Sequence, residues 1–350
     1  MVLCQASHLL YQKGFGMRIL ARIELVGRAV RFGVAIGAFW LLLLALPGEV
    51  QAQDFTYTNT NGTITITGYI GPGGDVVIPS SIGGVPVTSI GDSAFSFVNN
   101  GNSSSSITSL SNMTNVTIPD SVTNLGEAAF TACPNLANFS IGKGIRSIGG
   151  GPFTQSWGTF QWCSSLTRVT LPDNITNISD GVGTRGGPFG AFSGCAGLTN
   201  VIVGKGLAYL GNGTFTYCDK LVSVYFAGDA PAFGASEYPA PTSPFFNATN
   251  AIVYYLPGTS GWGPTYAGRP AILWNPQVQT TDGSFGVRQN QFGFDIAGTA
   301  DIPLVIEASG DLAAGSWIPV HECTLTNGLF YFSDPQWVNH PARFYRIRSP

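Results

Sequence analysis

The feature that most constrains this chain is a heptapeptide, Phe-x-x-Cys-x-x-Leu, that occurs four times: Phe130–Leu136, Phe160–Leu166, Phe192–Leu198 and Phe215–Leu221. A fixed internal period decides the fold before any single element is considered, because the unit and not the whole chain must form structure. Each closing Leu opens a second pattern, Leu-x-x-apolar-x-apolar: Leu136/Phe139/Ile141, Leu166/Val169/Leu171, Leu198/Val201/Val203 and Leu221/Val224/Phe226, with Met113/Val116/Ile118 one unit earlier. Its period-2 tail predicts a short strand with one buried face. Pro119, Gly142, Pro172 and Gly204 end those strands, and a further apolar residue follows at Leu125, Ile148, Ile178 and Leu210.

The leading residues Met113, Leu136, Leu166, Leu198 and Leu221 lie 23, 30, 32 and 23 apart, so a 23-residue unit has been lengthened twice, by 7 and by 9. A unit this short cannot cover its own apolar face, and stacking lets neighbours cover each other. The expected fold is a β-rich solenoid of about six to seven rungs. Phe130, Phe160, Phe192 and Phe215, with Cys133, Cys163, Cys195 and Cys218, form its internal ladder.

These units resemble the BspA-type leucine-rich repeats of bacterial surface proteins. Val116–Leu136, VTIPDSVTNLGEAAFTACPNL, follows the family pattern nearly throughout, and the resemblance covers about residues 55–275. It weakens at Gly142 and Gly204, which stand where the family has Pro, and in the two lengthened units. Ile64–Phe95 is similar to the family's first rung and predicts an N-terminal cap. Residues 251–274 are similar to a last, degenerate rung that closes the stack. The resemblance implies a surface protein that adheres to proteins or polysaccharides.

The chain start predicts export. Arg18, Arg22, Arg28 and Arg31 precede an apolar run from Val34 to Leu46, followed by Pro47, Gly48 and a Val50-Gln51-Ala52 cleavage pattern. The run is about thirteen residues long, whereas a membrane span needs roughly 20. Residues 1–52 are therefore expected to be a cleaved signal peptide, with translation starting at Met17, and no membrane span is expected after cleavage. The expected destination is extracellular or the cell surface, with the periplasm open.

Residues 276–282 read as a linker and 283–350 as a second domain. Alternating segments at Phe292–Ile296, Leu304–Ala308, Trp317–Val320, Leu329–Phe332 and Arg343–Ile347 predict a small antiparallel β-sandwich-like module. EASGDLAAGSWIPV and the terminal ARFYRIR are similar to C-terminal modules of secreted proteins of the Verrucomicrobia group, which implies sorting or surface association.

Charge and inventory narrow the function classes. Setting aside the 5 basic and 2 acidic residues of the leader, residues 53–350 hold 11 Lys and Arg against 17 Asp and Glu, a net charge of −6. That argues against nucleic acid as a partner. Beyond the leader the only histidines are His321 and His340, so a Ser-His or Cys-His pair inside the repeats is excluded. Export permits disulfides, but the four ladder cysteines occupy one small inward slot, and packing is the expected role over disulfides or metal. Asp120 and Asp173 recur at one position, two rungs apart, too far to share one glycosidic bond; a turn contact to backbone N–H groups is expected instead. No enzyme activity, cofactor or metal is expected.

The two lengthened units share Gly-Gly-Pro-Phe, at Gly150–Phe153 and Gly186–Phe189, just ahead of the Phe-x-x-Cys element. In a stack they project side by side. With Phe153 and Phe189 they gather Gln155, Trp157, Trp162 and Arg185, a mixture of flat aromatics and hydrogen-bonding groups suited to sugar or protein recognition. The competing reading is that Phe153, Phe189 and Trp162 only cover the end of the core. The function expected is a secreted or cell-surface binding protein for an extracellular protein or polysaccharide. A self-associating structural component of an envelope or matrix is the alternative, and a glycan-active enzyme a third.

Overall fold

Repetition in the sequence becomes repetition of backbone hydrogen bonds. A computed structural model of the chain describes residues 10–13, 16–19, 54–96, 110–149, 158–181, 189–234, 243–312 and 316–350, which divide into two units. The leading strands stack in parallel, and from Met113 to Tyr255 each paired residue lies over its repeat equivalent. Arg168–Leu171, Asn200–Val203, Ser223–Phe226, Ile252–Tyr255 and Arg269–Leu273 form one such sheet, and Gly74–Val77, Met113–Thr117 and Asn138–Ser140 another. Two-residue strands at Ser147–Ile148, Asn177–Ile178, Tyr209–Leu210 and Ala232–Phe233 build a second parallel face. This is the leucine-rich-repeat solenoid that the period predicts.

Both ends of the stack turn antiparallel. At the start, Phe55–Thr60 and Thr63–Tyr69 form a hairpin that pairs in parallel with Val85–Ile90. At the finish, Thr265–Tyr266 folds back on Arg269–Leu273. A hairpin exposes fewer unpaired backbone groups than a bare rung would.

Six phenylalanines form the spine: Phe95, Phe130, Phe160, Phe192, Phe215 and Phe245, all 1 % exposed or less. Successive ring centroids lie 4.8, 5.2, 5.4, 5.9 and 5.5 Å apart and the planes stay within 18° of parallel. The spine runs one rung past the heptapeptides at its C-terminal end because Ala248 and Ala251 replace Cys and Leu after Phe245, so the pattern fades while the packing persists. The four ladder cysteines are free and buried. Each Sγ donates to the phenylalanine carbonyl of the preceding rung, Cys133 to Phe95, Cys163 to Phe130, Cys195 to Phe160 and Cys218 to Phe192, at 3.1 to 3.2 Å. Burial pushes the Cys218 thiol up to about 12.

One rung departs from the expected inward set. Phe139 and Ile141 are only half-buried, and Phe139 stands where the other rungs have Val116, Val169, Val201, Val224 and Val253. Its ring lies 4.3 Å from that of Phe160 in the next rung. Both parallel ladders break beside this rung, the leading one after it and the second one before it: Asn138–Ser140 does not join the sheet of Arg168–Leu171, nor Asn124–Leu125 that of Ser147–Ile148. A ring in a valine-sized slot holds neighbouring strands apart, and close packing leaves no spare volume to absorb it.

The departures from Pro at Gly142 and Gly204 have a steric cause. A Cβ at Gly142 would collide with the Pro119 carbonyl, and one at Gly204 with the backbone of Pro172 and Asp173. Pro-Asp and Gly-Lys-Gly turns thus alternate from rung to rung, and the exposed edge reads Asp120, Lys143, Asp173, Lys205, Asp229. The aspartates bridge rungs rather than closing their own turns. Asp120 Oδ1 accepts the N–H of Lys143 at 2.8 Å, Asp173 Oδ1 that of Lys205 at 2.9 Å and Asp229 Oδ1 that of Ser260 at 2.7 Å.

In the second unit, Ile318–Thr324, Pro303–Ser309 and Phe344–Arg348 form one antiparallel sheet. Gln291–Ala297 pairs with Gly286–Arg288 and Leu329–Asp334 in another. The two sheets meet through Tyr345, whose ring lies 5.3 Å from Phe292 and 5.6 Å from Phe332. The expected linker 276–282 belongs to this unit, whose C-terminal segment begins at Trp274: Gln277–Val278 is a strand paired with Ile296–Ala297. The motif ARFYRIR alternates faces as a strand should. Ile347 and Tyr345 are buried, Arg346 and Arg348 clamp Glu307 at 2.5 and 2.6 Å, and Arg343 is bound to Asp334 at 2.8 Å.

Within the expected leader, Leu10–Lys13 and Gly16–Ile19 form a hairpin whose second strand pairs with Phe344–Arg348. The apolar run 34–46 lies outside the described residues. No helix among the described residues is long and apolar enough to cross a membrane.

Candidate functional site

The residue before each ladder cysteine takes the left-handed conformation. Ala132, Trp162, Gly194 and Tyr217 have φ of 56°, 59°, 72° and 58°, and Asn247, ahead of Ala248, has 62°. Their N–H groups bond to the next rung, Ala132 to Gln161 O at 2.7 Å, Trp162 to Ser193 O at 2.8 Å and Gly194 to Thr216 O at 2.7 Å. That bonding fixes the conformation for every rung. Glycine and asparagine meet it with least strain, whereas other L-residues carry a cost on the order of 1 kcal/mol. Trp162 and Tyr217 are therefore the expensive choices at a position where Gly194 shows that glycine suffices.

Their side chains converge across the turn face. The Trp162 indole lies directly over Gly194 of the following rung, where any Cβ would overlap its ring. The Phe189 ring sits 6.2 Å from Trp162, edge to face, and 6.5 Å from Tyr217. Trp162 keeps 38 % of its surface exposed, and Phe189 and Tyr217 are half-buried. Three aromatics from three successive rungs thus border a shallow strip floored by Gly194.

Of the six residues expected at the site, Trp162 and Phe189 are brought together; Phe153, Gln155, Trp157 and Arg185 lie outside the described residues. Both lengthened units leave and rejoin the solenoid here, between Gly149 and Gly158 and between Gly181 and Phe189. Gly190 N–H bonds to Gly213 O at 3.1 Å, tying the second rejoining point to the next rung. A third such segment, 235–242, runs between Gly234 and Ser243 one rung beyond Tyr217. Sequence reasoning missed it because it falls in the degenerate unit. The spacing Phe215 to Phe245, 30 residues like Phe130 to Phe160, was the available signal. Tyr217 was also missed, although it repeats the heptapeptide position of Trp162.

Elsewhere, the Tyr209 hydroxyl donates to both Asp180 oxygens at 2.8 and 2.9 Å, and Asn212 N–H donates to Asp180 Oδ1 at 2.7 Å. Partial burial and then the Asp180 carboxylate push the Tyr209 phenol up to about 12. Among the described residues no group of three His, Cys, Asp or Glu could hold a metal ion.

Parallel strands, a phenylalanine spine and one inward set per rung define a leucine-rich-repeat solenoid protein. Residues 76–158, 103–187 and 156–236 match the BspA type leucine-rich repeat region, in six copies, so the repeats of residues 76–236 are of the BspA type. Among solved structures, a leucine-rich-repeat protein from T. pallidum is 28 % identical, covering 53 % of this chain and 85 % of that one, with a TM-score of 0.35. One from Bacteroides capillosus is 27 % identical over 36 % of this chain and 83 % of that one, TM-score 0.29. The pneumococcal vaccine antigen PcpA is 10 % identical over 64 % and 49 %, TM-score 0.38. No curated protein matches the chain.

Proposed function

We propose that this is an exported, cell-surface or secreted recognition protein. It binds an extracellular protein or polysaccharide on the turn face of the solenoid, around Trp162, Phe189 and Tyr217, and residues 1–52 are removed during export. The observation that carries this reading is the backbone conformation at Trp162 and Tyr217. Large aromatics held where glycine would cost least are retained for their side chains, and partly exposed aromatic surface is what sugar rings and protein hot spots use. The BspA-type repeats support a surface role, and binding rather than catalysis fits a flat strip.

The test is a binding screen of the exported chain against glycans and extracellular proteins, with Trp162→Gly and Tyr217→Gly beside it. Both variants relieve left-handed strain, so thermal stability is expected to hold within about 1 kcal/mol while binding falls at least tenfold. Loss of stability by about 2 kcal/mol or more, with binding unchanged, would mean that the aromatics only cover the core. Absence of any ligand, joined to assembly that grows with concentration, would favour a structural matrix component.

A further inference from the structure

The leader hairpin occupies one edge of the C-terminal sheet, with Leu10–Lys13 outermost and Gly16–Ile19 inside it. Gly16–Ile19 pairs with Phe344–Arg348 over four consecutive positions: Gly16 with Arg348, Met17 with Ile347, Arg18 with Arg346 and Ile19 with Tyr345. The other side of Phe344–Arg348 is bonded to Pro303–Ser309 through five regular pairs. Export as proposed above removes Gly16–Ile19, and the row of N–H and C=O groups that it satisfied is left open.

Exposed edges are usually blunted by proline, a bulge or an inward charge. Phe344–Arg348 contains no proline, its pairing with Pro303–Ser309 runs without a bulge, and its inward residues Tyr345 and Ile347 are apolar and buried. The strand itself carries two positive charges on its outer face and no carboxylate: Arg346 and Arg348 share Glu307 of the neighbouring strand. In this register an acidic residue at the position of Arg18 would stand opposite Arg346, the arrangement that strand pairing rewards.

We propose that the exported protein accepts an extended strand from another molecule at the Phe344–Arg348 edge, antiparallel, with apolar residues opposite Tyr345 and Ile347 and an acidic residue opposite Arg346. The main-chain ladder supplies affinity, as in strand addition generally, and the alternation supplies selectivity. The inference rests on leader removal, and it gives the C-terminal module an attachment role of its own, apart from the solenoid face.

Mass spectrometry of the exported chain fixes the cleavage point, and labelled peptides are then titrated against it. They are residues 10–19 as they stand, the same peptide with Arg18→Glu, and one with Arg18→Glu, Met17→Asp and Ile19→Asp. The Arg18→Glu peptide is expected to bind about fivefold tighter than the parent at low salt. The triple variant is expected not to bind, and amide exchange should slow at Phe344–Arg348. The chain that keeps its leader should bind none of them. A retained leader in the exported chain overturns the export reading. A cleaved chain that binds no peptide, or is protected elsewhere, overturns the open edge alone. Equal affinity for parent and Arg18→Glu peptides overturns the acidic partner. Concentration-dependent protection of Phe344–Arg348 without peptide replaces the foreign strand with a second copy of this chain.

Discussion

The solenoid and the C-terminal unit solve the same problem, covering short strands, in opposite ways. In the solenoid one small set of contacts recurs: a phenylalanine on a phenylalanine, a thiol on the previous carbonyl, an aspartate on the next rung's N–H. In the C-terminal unit no period sets the contacts, and two buried carboxylates gather them, Glu307 holding Arg346 and Arg348. Asp334 alone receives Arg343 Nε at 2.8 Å, the Tyr345 hydroxyl at 2.9 Å and the Gln336 N–H at 2.8 Å, with Arg343 and Asp334 both nearly buried. Repetition spreads stability over many interfaces, whereas two buried carboxylates concentrate it.

The largest effect expected from that contrast is at Asp334. Asp334→Ala leaves Arg343 buried and uncompensated, a loss of about 3–5 kcal/mol. Differential scanning calorimetry should show the C-terminal unit melting early and the solenoid unmoved; a shift of both transitions together would mean that the two units unfold as one. Phe160→Ala should cost about 3–4 kcal/mol by leaving a cavity in the spine. It sits beside Phe139, where both ladders already break, so amide exchange should rise between Phe130 and Phe192 and remain slow near Phe245. Uniform loss of protection would refute the distributed picture.

Alkali gives a smaller, graded test. Tyr209 is held neutral in the folded chain, with its phenol pushed from 10.0 up to about 12. A raised folded value means that this contribution is fully present below about pH 10 and disappears as pH rises toward 12. Absorbance at 295 nm should show Tyr209 ionising late, and Tyr209→Phe should shift the alkaline unfolding midpoint; an unshifted midpoint would remove Tyr209 from the account. The smallest effect belongs to one rung bridge. Asp173→Ala deletes the contact to Lys205 N–H and should cost about 1 kcal/mol by chemical denaturation, with Asp120→Ala similar and the two additive. Strong non-additivity would show that rungs couple beyond their neighbours.

Much of the solenoid was legible in the residues because its physics is local and periodic. The 23-residue unit, the inward positions at Val169 or Ile178 and the single slot of Cys133, Cys163, Cys195 and Cys218 follow from side-chain alternation and from what stacks on what. The half-burial of Phe139 was not legible, since it depends on how much room the neighbouring rung leaves. In the candidate site, Trp162 and Phe189 stood out by type. Tyr217 did not, because its importance arises only when three rungs are superposed.

The sequence by itself determined that this chain stacks rungs, where each rung faces inward and where it is lengthened, because those properties are fixed within about thirty residues. The tertiary structure decided the rest. It showed that aspartates bridge rungs, that Gly142 and Gly204 yield to the Pro turns before them, that Gln277–Val278 belongs to the second unit and that Asp334 and Glu307 gather arginines from the last strand. The first two follow the repeat spacing but turn on which atoms face each other across a rung, and the last two join residues whose separation carries no periodic signal, so only the folded chain decides them.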